Sequence, residues 1–84
     1  MAMVIGLCTL ELHLPECSSL KGKRKVLSRI RGRLNARFNV AVAEVEHQDL
    51  WLRAQLVVVS VASSRVPLEK VFEKAVDEVE RSAP

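Results

Sequence analysis

Apolar residues change their period three times along this chain, and that succession leaves few folds open. Residues 3–14 alternate. Val4, Cys8, Leu10, Leu12 and Leu14, with Gly6 among them, fall on one face, and Ile5, Leu7, Thr9, Glu11 and His13 fall on the other. A period of two is the pattern of a half-buried strand. Pro15 ends it, and Ser18 or Ser19 is available to cap a helix. From residue 20 to 37 the spacing is helical, with Leu20, Val26, Leu27, Ile30 and Leu34 on a stripe that Phe38 closes. Residues 39–46 return to alternation, His47-Gln48-Asp49 is a polar turn, and residues 50–62 read as a third strand. That strand is about twice the usual length, so a bulge or a frayed start is expected in it. Ser63-Ser64-Arg65 is a turn, and Pro67 suits the first position of a second helix. The stripe of that helix is Leu68, Val71, Phe72, Ala75, Val76 and Val79.

The order is therefore β-α-β-β-α in 84 residues, one domain spanning 1–84. A right-handed crossover followed by a hairpin places the third strand between the first two and antiparallel to both. The expected fold is an α+β ferredoxin-like sandwich: an antiparallel sheet, two helices on one face, and no fourth strand. Without that strand, the first strand is an exposed edge.

Composition narrows the function classes. Apolar residues make up 49% and charged residues 27%, an ordinary globular balance. One Trp, two Phe and no Tyr leave too few rings for a base-stacking platform. No Lys or Arg precedes the apolar N-terminal run, and no stretch reaches the roughly 20 apolar residues of a membrane span. A cytoplasmic location is expected. Cys8 and Cys17 match no zinc or redox spacing, and a zinc site built from His13, Cys17 and His47 is a remote option. No metal or small-molecule cofactor is expected.

Two features cost stability. Residues 18–39 hold eight cations and no anion, while the rest of the chain holds five cations against ten carboxylates. Lys21, Lys25, Arg29, Arg33 and Arg37 form an i, i+4 row of like charges, worth about 1–2 kcal/mol of repulsion. The row is either a solvated face, partly neutralised by Glu69, Glu73 and Asp77 of the second helix, or a surface whose countercharge is a polyanion. On the second reading Lys21, Lys23, Arg24, Lys25, Arg29 and Arg33 contact phosphates.

The other feature is the sheet face opposite the helices. Its lower half reads Ile5, Leu7, Val57, Val59 and Val61, a patch that a monomer rarely leaves wet. A two-fold contact between copies is expected there, since the same patch meets itself. Its upper half reads Glu11, His13, Trp51, Arg53 and Gln55, with Glu44, His47 and Asp49 at the same end. A His beside carboxylates is a possible acid–base pair, but a cross-strand Glu11–Arg53 ion pair with His13 as its partner is the more ordinary reading. No nucleophile–base pair, phosphate-cradling glycine loop or metal quartet is present in the sequence, so no enzyme is expected.

Several blocks resemble the YlxP-like family of small bacterial proteins, a domain of unknown function. They are Leu10-Glu11-Leu12-His13-Leu14-Pro15, Ser19-Leu20-Lys21 with Lys23-Arg24 and Val26-Leu27, Phe38-Asn39-Val40-Ala41-Val42-Ala43-Glu44, and Asp49 with Trp51 and Arg53-Ala54. The resemblance covers residues 3–80 and implies a ferredoxin-like fold in the cytoplasm. Genes of this family often lie beside those of translation initiation factor two and ribosome-binding factor A, which implies a role in translation or ribosome maturation by association. It supplies no catalytic residue.

Together these point to a non-enzymatic factor that binds RNA or a ribosomal particle through the first helix. The alternative is a protein–protein module anchored by Glu11, His13, Trp51 and Arg53. A homodimer is expected in either case, with no membrane partner.

Overall fold

The structure, a computed structural model, describes residues 2–82. Met1, Ala83 and Pro84, which the single-domain reading includes, lie outside the described residues. The elements run β1 (Val4–His13), α1 (Leu20–Arg37), β2 (Val40–Glu46), β3 (Arg53–Ala62) and α2 (Arg65–Ser82). The sheet order is β1-β3-β2, with β3 antiparallel to both neighbours. This is the ferredoxin-like arrangement without a fourth strand among the described residues.

The alternation in β1 sorts its side chains as the sequence implies. Val4, Cys8, Leu10 and Leu12 turn towards the helices, and Ile5, Leu7, Thr9, Glu11 and His13 are exposed. Register carries the same parity into β3. Cys8 opposes Val58, Leu10 opposes Leu56 and Leu12 opposes Ala54 on the inner face; Leu7 opposes Val59 and His13 opposes Arg53 on the outer. Leu27, Ile30 and Leu34 of α1 and Ala75 and Val79 of α2 close over Leu12, Ala54, Leu56 and Val58 in one buried cluster. Both helices therefore cover the same face.

Three local details differ from expectation. β3 begins at Arg53, so residues 50–52 end the connection from β2 and do not extend the strand. The irregularity lies instead in β2, where the register shifts between Glu44 and Glu46. The extra residue, Val45, has no partner on β3, as a bulge requires, and is exposed. α2 starts at Arg65, which puts Pro67 third in the helix. The first turn tolerates it there, because its amide would have no intrahelical acceptor.

Gly6 is a point of close approach between layers. A Cβ on it would lie 2.7 Å from both Leu68 Cδ2 and Phe72 Cε2. The bare backbone of β1 is what lets α2 settle onto this end of the sheet. Gly6→Val is expected to force these side chains apart and cost about 1–3 kcal/mol, read as a lower urea midpoint; an unchanged midpoint would show that the contact is not tight.

Candidate nucleic-acid interface and open sheet face

The first helix is started by Ser19, whose Oγ accepts a hydrogen bond from the Gly22 amide at 3.0 Å. Leu27, Ile30 and Leu34 face the core. At 100° per residue, Lys21, Lys25 and Arg29 then fall on the outer arc, and Arg24 and Arg31 on the flank beside it, along about 15 Å of helix. All five are exposed, and among the described residues none has an ion pair or a side-chain hydrogen bond. Arg31 was not among the phosphate contacts expected from sequence and joins this surface.

Lys23 does not belong to it. Its side chain is 1% exposed, and its ammonium lies 2.8 Å from Glu44 Oε2. It also donates to the carbonyl of Leu50 at 2.6 Å and to the carbonyl of His47. Two donors meet backbone carbonyls. The charge is paired with Glu44, whose buried Oε2 lies within ion-pair distance but accepts no hydrogen bond among the described residues, so the ammonium is held inside the protein. The expected contact of Lys23 with phosphate is corrected on this ground. His47 adopts a left-handed backbone, φ 61°, as the chain curls to present these carbonyls.

The two helices meet through other residues than expected. Arg37 Nη1 lies 2.7 Å from Glu78 Oε2, and Arg33 Nη1 donates to Ser82 Oγ at 3.0 Å. Arg81 shares the Glu78 carboxylate at 3.0 Å. These pairs run antiparallel and join the C-terminal halves of both helices. Glu69 and Glu73 therefore form no ion pair with α1, Asp77 lines a cleft with Arg37 without pairing to it, and Glu69 is bound by Arg65 of its own helix at 2.7 Å. The neutralisation expected from those three carboxylates is supplied by Glu78 alone, and only for Arg37. Burial pushes the Glu78 carboxyl up, but the Arg81 hydrogen bond and the Arg37 and Arg81 charges outweigh it and leave the pKa below its ordinary value. Arg33 is exposed yet already engaged, so it is the least available of the remaining cations.

On the open face, Glu11 is the hub. Gln55 Nε2 donates to its Oε1 at 2.7 Å, His47 Nε2 stands 3.7 Å from its Oε2, and Arg53 Nη2 stands 3.9 Å from the same oxygen. The Glu11–Arg53 pair is present, but the histidine beside it is His47; His13 opposes Arg53 in the register instead. Trp51 is 51% exposed and sits in the β2–β3 connection, outside the strand alternation, in a shallow groove with Asp49, Leu50, Leu52 and Arg53. The aliphatic half is open as expected: Ile5 is 66% and Leu7 64% exposed, Val61 is exposed, and Val57 and Val59 are half-buried.

Position alone marked Lys23 and Glu44. Residues 23, 27, 30 and 34 share one helical stripe, and Glu44 has the inward parity of Val40 and Val42. Lys23→Met should strand the Glu44 carboxylate and cost about 3 kcal/mol in denaturant unfolding. Lys23→Met with Glu44→Leu should recover most of that loss. A neutral single variant would mean the clamp contributes nothing.

The sequence profile of a protein family described as "Protein of unknown function (DUF503)" matches residues 5–84. The chain is also 39% identical over 71 residues to an uncharacterised protein, YlxP, of Bacillus subtilis (strain 168), an alignment covering 84% of this chain and 77% of that protein. With the profile spanning nearly the whole chain, this protein belongs to the DUF503 family, in agreement with the YlxP-like resemblance of its sequence blocks.

Proposed function

We propose that this protein is a non-enzymatic, cytoplasmic accessory factor that binds RNA or a ribosomal particle through the outer face of α1. The observation that carries the reading is the set of five cations, Lys21, Arg24, Lys25, Arg29 and Arg31, exposed on one helix without a carboxylate partner among the described residues. Like charges at i, i+4 destabilise a helix. A phosphate backbone relieves that repulsion and releases its own counterions on binding. Such contacts give affinity and salt dependence with little sequence reading. The genomic neighbourhood implied by the family resemblance points the same way. Replacing Lys21, Lys25, Arg29 and Arg31 by Gln should leave the fold intact. It should also weaken binding to a labelled ribosomal RNA fragment and flatten its salt dependence by about 3 in log–log slope. Arg65→Gln, on the other helix, should change neither. Equal binding by the quadruple variant would overturn the assignment.

A second reading gives the open sheet face to protein contact. Ile5 and Leu7 expose about two thirds of their surface beside Val57, Val59 and Val61, and burying a side chain of this size gains roughly 1.5–3 kcal/mol. A second copy meeting the same patch across a two-fold axis is the occupant this reading assigns, with Trp51 and Arg53 as anchors at the rim. Light scattering should then report a dimer that Val57→Lys with Val59→Lys converts to monomer. An unmodified protein that is monomeric at high micromolar concentration would rule it out.

A further inference from the structure

We infer that the free edge of β1, together with the outer flank of α2, is a slot for an extended basic segment of another protein, in which Lys or Arg alternates with an aliphatic residue. The inference stands apart from the RNA reading, because it uses the opposite side of the molecule and the opposite charge.

Three observations converge on this slot. β1 pairs only with β3 among the described residues, so alternate residues of Val4–His13 turn backbone amides and carbonyls towards an empty edge. Above that edge, α2 leaves part of its apolar stripe uncovered. Phe72 touches β1 at Gly6, and with Val76 it lines a groove whose other walls are Glu69, Glu73 and Asp77. The side of α2 that meets α1 carries Glu78 and Ser82. At 100° per residue, Phe72 and Val76 are turned about 80–160° away from Glu78 and Ser82, towards the flank over the free edge. The third observation is charge. Of the three carboxylates in the groove, only Glu69 has a partner, Arg65.

A strand added to β1 would send every second side chain up this flank. A Lys or Arg stem can lie along Phe72 and Val76 while its head reaches the carboxylates above them. The intervening aliphatic residues would point the other way and extend the Ile5 and Leu7 patch. A second copy does not fit the slot. Its own β1 carries no Lys or Arg, and two-fold pairing of the edges would set two such acidic flanks side by side. The charge pattern thus selects against self-pairing and for a basic partner.

The test uses the whole protein and a fluorescein-labelled octapeptide of alternating arginine and valine. Controls are a glutamate–valine peptide and the arginine peptide with alternate backbone amides methylated so that it cannot pair as a strand. Fluorescence anisotropy should show binding of the first peptide alone, and backbone amide shifts should fall on residues of β1 and on Phe72 and Val76. Glu73→Lys with Asp77→Lys should weaken binding at least tenfold while leaving thermal unfolding unchanged, both residues being exposed. The proposal is overturned by equal binding of the glutamate or methylated peptide, by shifts confined to the open sheet face, or by a native dimer paired through β1.

Discussion

A single buried ammonium ties the first helix to the hairpin. Lys23 neutralises Glu44 at the end of the regular part of β2 and holds the carbonyls of His47 and Leu50. Those carbonyls belong to the segment that carries the chain across to β3, so its path is set by a side chain of a different element. The bulge at Val45, the left-handed backbone at His47 and the start of β3 at Arg53 all lie beside this clamp. The Leu14 amide, bonded to the Leu52 carbonyl at 2.7 Å, fastens the other side of the same connection. A buried charge is costly unless every donor is satisfied. Held by two carbonyls and paired with a carboxylate, this one fixes geometry that apolar packing alone would leave loose.

The fold was legible because apolar period and turn chemistry agree along most of the chain. Parity in β1 and β3 and the stripe of α2 each predicted what is seen, and of the two serines offered as a cap, Ser18 and Ser19, it is Ser19 that caps. The site was legible less evenly. Lys23 lies in register with Leu27, Ile30 and Leu34, yet its residue type pointed outward, and type was given more weight than position. Trp51 was placed by extending alternation beyond Arg53, where the strand pairing with β1 has already ended. Bulge position had no local signal: Glu44, Val45 and Glu46 keep alternating as a regular strand would. The expected help from Glu69 and Glu73 failed because the helices meet through their C-terminal halves, a stagger that periodicity cannot report.

Charge is distributed by element more than by residue. The outer arc of α1 is purely cationic, the outer flank of α2 is mainly anionic, and the bridge of Arg37, Glu78 and Arg81 lies between them. Exposed ion pairs contribute little, but Glu78 is nearly buried and shared by two guanidinium groups, so the contact also fixes how the helices sit together. Neither outer face is neutralised by it.

Segregation of this kind acts before any contact is made. Near a surface of one sign, a molecule with cations on one flank and carboxylates on the other experiences a torque as well as a pull. It turns as it approaches, presenting α1 to a polyanion and the α2 flank to a polycation. Orientation is a large part of what slows association between specific patches, and a permanent dipole shortens that search most at low ionic strength. Net charge, a modest +3, would not reveal it.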